Sequence, residues 1–130
     1  MRLTLTLLVA TALLSACGPR QSPEQRAVRV ANLAQTDAAL TTAQTVNING
    51  KAFRVAHVTE RNQALVELVG SSTAYFASDV EAASRAVTGC NGTLNLGVLS
   101  TLGGIGEANL AELRTKVSGR FDGWSVSLSC

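Results

Sequence analysis

The 130-residue sequence has very few of the residues from which metal and nucleophilic sites are usually built. His57 is the single histidine, and none of the three cysteines belongs to a Cys-x-x-Cys pair. Histidine-based metal clusters and cysteine–histidine catalytic pairs are therefore largely excluded. Aromatic residues make up only 4% of the chain and the net charge is +2. We expect no nucleic-acid partner, because such proteins concentrate basic charge and aromatic side chains.

The sequence also lacks an apolar run long enough to cross a bilayer. A spanning helix needs about 20 such residues, whereas the apolar run after Arg2 extends only from Leu3 to Leu14. A basic start, a short apolar run and small residues are typical of a secretory signal peptide. We therefore predict that residues 1–16 are a removable leader.

The end of this leader, Leu14-Ser15-Ala16-Cys17, resembles the lipobox of bacterial lipoproteins. The resemblance covers the leader alone. It implies that Cys17 is diacylated on sulfur, that the chain is cut before it and that the new amino terminus is acylated. It also implies the outer membrane, facing the periplasm, because Gly18 stands where an aspartate is associated with inner-membrane retention. The alternative interpretation is an ordinary signal peptide with an accidental cysteine.

Removal of the leader would leave a different protein, of 114 residues and with a side-chain charge of +1. Such a near-neutral surface gives no sign of attraction to acidic polymers. Cys90 and Cys130 would then lie in the oxidising periplasm, where a structural disulfide is expected. The spacing is too wide for the usual metal or redox motifs, so we predict a structural Cys90–Cys130 disulfide.

Local patterns divide the mature chain into three parts. Residues 17–22 are predicted to be a lipidated tether, 23–42 a helix capped by Ser22, and 43–130 an α+β domain. Asn49-Gly50 is the preferred two-residue hairpin turn, and it pairs Val46 with Phe53. A third strand at residues 64–69 completes an antiparallel meander, with Arg54 and Glu67 placed diagonally on its polar face.

The second half of the domain is predicted to cover the meander. Ser78-Asp79-Val80-Glu81 is read as the capping box of a second helix, and Asn109 as the cap of a third that ends near Ser118. Strands are predicted at residues 92–99 and 124–130. The predicted fold class is α+β: a small single domain with a three-stranded meander extended by further strands, packed with two or three helices and held by one disulfide.

Few residues suggest a catalytic or ligand-binding role. His57 is expected to cap the edge of the core, and Asp79, Glu81 and Glu112 to serve helix starts. Residues 103–106, Gly-Gly-Ile-Gly, lack the spacing of a phosphate-binding loop and are expected to be a flexible connection. The sequence contains no Gly-x-Ser-x-Gly motif, although counting residues does not exclude a Ser-His-Asp triad.

Tyr75 and Phe76 form the one aromatic pair in a loop-like stretch. One interpretation is that the pair packs over the edge of the sheet. The other is that it contacts a partner protein, since aromatic side chains dominate binding hot spots.

These observations favour a non-catalytic lipoprotein of the cell envelope that acts as a binding or accessory module. Its expected partners are the bilayer, through acylated Cys17, and an envelope protein; no metal or cofactor is expected. The alternative is a small envelope hydrolase, or an inhibitor of one. That alternative requires His57 or a carboxylate to be essential, and an alanine scan over His57, Glu60, Glu67 and Asp122 would test it.

Overall fold

The structure, a computed structural model, describes residues 20–70, 73–97 and 107–130. The elements in chain order are α1 (Pro23–Thr41), β1 (Gln44–Ile48), β2 (Lys51–Val58), β3 (Gln63–Leu68), α2 (Ala77–Thr88), β4 (Asn91–Leu94), α3 (Leu110–Lys116) and β5 (Trp124–Ser129). The α+β prediction is confirmed, with three helices in the described residues and one five-stranded antiparallel sheet. Cys17 and the predicted glycine connection at residues 103–106 lie outside the described residues.

The first hairpin forms in the predicted register. Asn49 and Gly50 both have positive φ, 51° and 78°, which the tight hairpin turn requires and which asparagine and glycine tolerate best. Val46 therefore pairs with Phe53. The diagonal placement of Arg54 and Glu67 is wrong: the two residues are direct partners across β2 and β3. The Thr59–Arg61 3-10 turn, followed by Asn62 in the left-handed region, sets this register.

The sheet order is β1-β2-β3-β5-β4, so the carboxy-terminal strand lies between β3 and β4. The fourth strand is shorter than predicted, because β4 ends at Leu94. The Asn95 N–H still donates to the Ser125 carbonyl at 2.8 Å, and the Asn95 side chain then accepts a hydrogen bond from the Gly97 N–H at 3.0 Å in a local turn that follows the strand. Residues 98 and 99 lie outside the described part of the chain.

Two apolar clusters pack on the sheet. The main cluster includes side chains of all five strands together with α2 and α3; its buried members are Phe53, Val55, Ala64, Val66, Tyr75, Val80, Ala83, Leu110, Trp124 and Val126. In the second cluster, Ala39 and Leu40 of α1 pack with Ala56, Val58 and Leu65.

Only the second half of α1 docks on the domain. Thr36 is buried there and its hydroxyl accepts a hydrogen bond from the Arg61 guanidinium at 2.7 Å. In the first half of the helix, Val28 and Val30 remain 60% and 67% exposed. The start of α1 confirms the predicted cap, since Ser22 and Gln25 exchange backbone and side-chain hydrogen bonds.

The start of α2 differs from the prediction. Ser78 is not the cap: the helix begins at Ala77, and Phe76 occupies the cap position without a side-chain acceptor. Asp79 provides the acceptor that Phe76 lacks, because the Asp79 carboxylate accepts a hydrogen bond from the Phe76 N–H at 3.0 Å. The Glu81 carboxylate accepts a hydrogen bond from the Leu94 N–H at 2.9 Å and so satisfies a backbone donor of the edge strand β4.

A disulfide bond joins the end of α2 to the end of β5. Cys90 follows α2 and Cys130 follows β5, and their sulfurs form the predicted disulfide with a Cα–Cα distance of 4.5 Å. Closing a loop of this length stabilises a domain by about 4 kcal/mol on the chain-entropy model. The third helix begins after Asn109 as predicted but ends at Lys116, before the predicted Ser118.

Asp79 also connects α2 to the first hairpin. Its buried carboxylate accepts hydrogen bonds from the Asn49 amide at 3.1 Å and from the Lys51 ammonium at 3.2 Å. Burial by itself raises the pKa of Asp79, but the donors from Phe76, Asn49 and Lys51 outweigh burial and leave the pKa below its ordinary value. Three separate segments therefore meet on one ionised carboxylate.

We predict that Asp79→Asn lowers the free energy of unfolding by about 1–3 kcal/mol at pH 7, because a buried ionic acceptor is lost. The folded-state pKa lies below the unfolded value of about 3.9, so the contribution of Asp79 is present above that value and is lost as the pH falls through the folded pKa. Urea denaturation at pH 7 and at several acidic pH values measures both effects. Equal stability of the parent protein and the Asp79→Asn variant at pH 7 would contradict the prediction.

The matched control is Glu67→Gln. Glu67 pairs with Arg54 at 3.3 Å, but that pair is partly exposed, with 44% of the Arg54 side chain accessible. Exposed pairs contribute about 0–1 kcal/mol. We expect this variant to lose less stability than Asp79→Asn.

A candidate ligand-binding cleft

A cleft with a cavity volume of about 380 Å³ lies between the end of β3 and helix α3. We call it the Tyr75 cleft and define it by the residues that line it: Glu67, Leu68, Gly70, Tyr75, Ala111, Arg114 and Thr115. Its volume is within the range of about 300–1,000 Å³ typical of small-molecule sites. Apolar side chains and a few polar groups share the lining, as such sites require.

Tyr75 lies at the buried side of the cleft and is held on three sides. Only 2% of the residue is exposed. Its hydroxyl accepts a hydrogen bond from the Trp124 indole at 2.7 Å, and its ring meets Phe53 edge-on at 5.7 Å. Its backbone carbonyl accepts the Leu110 N–H at 2.8 Å, which fixes the start of α3 beside it.

The phenol of Tyr75 stays protonated at neutral pH. Burial raises the pKa of this group, and the nearby Glu67 carboxylate raises it further, while the Trp124 hydrogen bond and Arg114 act in the opposite direction with a smaller effect. The net shift is upward from 10.0. The Tyr75 side chain beside the cleft is therefore a neutral phenol rather than a phenolate.

Arg114 supplies an unpaired charge to the cleft. Its guanidinium carbon lies 4.1 Å from the centre of the Phe121 ring, and Phe121 in turn packs edge-on against Trp124 at 5.2 Å. None of the ion pairs within the described residues uses Arg114; they are Lys51–Asp79, Arg54–Glu67, Arg120–Asp37 and Arg120–Asp122. The nearest acidic lining residue, Glu67, is thus already engaged by Arg54.

The two residues of the aromatic pair noted in the sequence, Tyr75 and Phe76, lie in different environments. Tyr75 is a buried member of the main apolar cluster and packs on the sheet, which is the first of the two interpretations of the sequence. Phe76 is 37% exposed at the start of α2 and keeps an accessible ring face. What Tyr75 offers to a ligand is the part of its side chain that lines the cleft.

The residues required by the hydrolase alternative are dispersed. His57 and Glu60 line a shallow hollow against α1, with a volume of about 260 Å³. Glu67 lies in the Tyr75 cleft, and Asp122 is bound by Arg120 at 2.8 Å. Glu67 and Asp122 are each neutralised by an arginine, whereas His57 and Glu60 lie in a different cavity.

Residues 20–70, 73–97 and 107–130 contain neither a candidate metal cluster nor a candidate membrane-spanning helix. No group of three or more potential metal-ligating side chains occurs among them. No helix in that part of the chain combines the length and hydropathy needed to cross a membrane.

Comparison with known proteins identifies no relative. No protein-family model matches the chain, and neither a curated protein nor a solved structure is significantly similar to it. The fold and the cleft are therefore interpreted from their own physical chemistry.

We predict that Tyr75→Phe lowers the free energy of unfolding by about 1–3 kcal/mol, because the buried Trp124 indole N–H loses its acceptor. The phenylalanine ring retains the packing on Phe53, so urea denaturation reports on the hydroxyl. Trp124→Phe and the double variant complete a thermodynamic cycle. Strictly additive losses would contradict a direct coupling between the two side chains.

Proposed function

We propose that this protein is a lipid-anchored, non-catalytic binding module of the cell envelope, held by acylated Cys17 at the outer membrane and facing the periplasm. The lipobox-like sequence Leu14-Ser15-Ala16-Cys17 supports the anchor. The Cys90–Cys130 disulfide is consistent with an oxidising compartment. The single observation that carries the binding activity is the unpaired Arg114 on the wall of the Tyr75 cleft.

The arrangement of α1 suits an anchor at Cys17. Residues 18–22 separate that cysteine from the helix and extend about 20 Å at most, at about 3.5 Å per residue. The helix has 19 residues, and its first half carries Arg26 and Arg29 on an exposed surface. Basic side chains at this position favour an anionic membrane surface. The first half of α1 would then act as a stalk between bilayer and domain.

The cleft favours binding over catalysis. Its phenol is neutral, its carboxylate is engaged by Arg54, and its guanidinium is a permanent cation. A general acid or base works best with a pKa near the working pH, and burial moves the pKa of the Tyr75 phenol further above that range. Recognition of an anionic group, in contrast, needs only a fixed cation beside an apolar surface.

The anchor is tested by Cys17→Ser. We expect the parent protein to incorporate labelled fatty acid and to sediment with membranes, and the variant to lose both properties, because the acylated sulfur is absent. Membrane fractionation and fatty-acid labelling in cells measure the two effects. Cys90→Ser is the control, since its sulfur belongs to the disulfide and its loss leaves acylation intact. A Cys17→Ser protein that remains labelled would contradict the anchor.

Binding is tested by a photoreactive phenylalanine analogue at Thr115, an exposed residue that lines the cleft. Thr93 is the control, because it is also exposed but faces the polar side of the sheet, pairing with Ser127. We expect envelope components to crosslink from position 115 and not from position 93, since the ligand occupies the cleft. Identical crosslinks from both positions, or none from 115, would contradict binding at the cleft.

A further inference from the structure

We propose that the Tyr75 cleft is specific for a small ligand with one free carboxylate, which Arg114 binds while Leu68 and Ala111 pack against its apolar part. This inference rests on the binding function proposed above, and it is independent of the anchor at Cys17. It identifies the chemical class of the ligand as a monoanionic carboxylate of about the size of one or two amino-acid residues.

The contact between the Arg114 guanidinium and Phe121 positions Arg114 to bind a carboxylate. Its guanidinium carbon lies over the Phe121 ring, 4.1 Å from the ring centre. A cation–π contact of this kind uses none of the N–H donors in a hydrogen bond, so they stay available to a ligand. Two parallel N–H donors match the two oxygens of a carboxylate, which is the strongest common form of this hydrogen-bonded pair. An arginine held in this way also loses less side-chain freedom on binding.

The charges around the cleft favour a monoanion over a dianion or a cation. Arg54 binds Glu67 at 3.3 Å, so the lining has one cation without a partner. A ligand cation would meet Arg114 unfavourably. A phosphate dianion would carry a second charge toward the Glu67 carboxylate, whereas a carboxylate monoanion is matched by Arg114 alone.

The remaining lining explains why the rest of the ligand should be apolar and short. Leu68 and Ala111 belong to the periphery of the main apolar cluster, and Gly70 adds no side chain. Tyr75 also lines the cavity, and its hydroxyl is already engaged by the Trp124 indole. A cavity of about 380 Å³ accommodates one small side chain and a terminal carboxylate, but not a folded partner surface.

Trp124 provides an intrinsic reporter for this cleft. It is the only tryptophan in the chain, so its indole N–H gives one identifiable NMR signal. That N–H is donated to the Tyr75 hydroxyl at 2.7 Å, and Tyr75 lines the cavity. A ligand that reaches Tyr75 will therefore change the chemical shift of the Trp124 indole without touching Trp124 itself.

The test is a titration of the full mature protein, labelled with ¹⁵N, with N-acetyl-L-leucine and with its uncharged counterpart N-acetyl-L-leucinamide. We expect the carboxylate to shift the Trp124 indole signal to saturation, and the amide to bind at least about tenfold more weakly, which corresponds to about 1.4 kcal/mol. Equal affinity for the two probes, or no shift with either, would overturn the proposed ligand class.

Variants of Arg114 separate charge from geometry. Arg114→Gln should bind the carboxylate no better than the amide, and Arg114→Lys should keep a weaker preference because it lacks the planar pair of donors. Arg85→Gln is the control, since Arg85 is an exposed arginine on α2 that lines a different cavity. Unchanged carboxylate binding by Arg114→Gln would overturn the proposal.

Failure of this inference is distinguishable from failure of the binding function. If crosslinks form at Thr115 while carboxylate and amide bind equally, the cleft is a binding site for a different class of ligand. If crosslinks are also absent, the binding module itself is contradicted. The backbone signals of the variants show in either case whether the fold is intact.

Discussion

The hydrogen bond from the Trp124 indole to the Tyr75 hydroxyl is the contact on which the cleft depends. It joins residues 49 positions apart and fixes the segment before α2 against the first residue of β5. Trp124 in turn positions Phe121, and Phe121 holds the Arg114 guanidinium. The position of Arg114, the unpaired cation of the cleft lining, is thus set by a series of contacts that begins in the core, which is why the cleft is preorganised.

The backbone conformation of Gly123 makes this series of contacts possible. Gly123 has a φ of 129°, and a Cβ atom there would lie 2.9 Å from the Val66 backbone nitrogen. Any other residue would be strained and would push β5 away from β3. Trp124 could then no longer pair with Val66 and reach Tyr75. The glycine therefore links sheet pairing to the geometry of the cleft.

The sequence predicts contacts that depend on neighbouring residues and misses those that depend on strand order. Asn49-Gly50 determines the first hairpin because its conformation is local, and Ser22 with Gln25 defines the start of α1 for the same reason. The cysteine pair could be inferred because only two remain once Cys17 is assigned to lipid. The Tyr75–Trp124 bond and the position of Arg114 depend on β5 entering between β3 and β4. The periodicity of neighbouring residues does not reveal that insertion, so the sequence leaves two interpretations of Tyr75 open, packing on the sheet or contact with a partner, and does not single out Arg114.

The two faces of the sheet are used for different purposes. The carboxy-terminal half of α1 packs on Ala56, Val58 and Leu65, whereas Tyr75 and Leu110 belong to the cluster on the other face. In β2, Ala56 alternates with Phe53 and Val55, so the two clusters are separated by the thickness of the sheet. Helix α1, which leads toward the proposed lipid anchor, therefore docks without obstructing the cleft. The proposed anchor and the proposed ligand site consequently place independent demands on the structure, and substitution of the residues of one should leave the other unchanged.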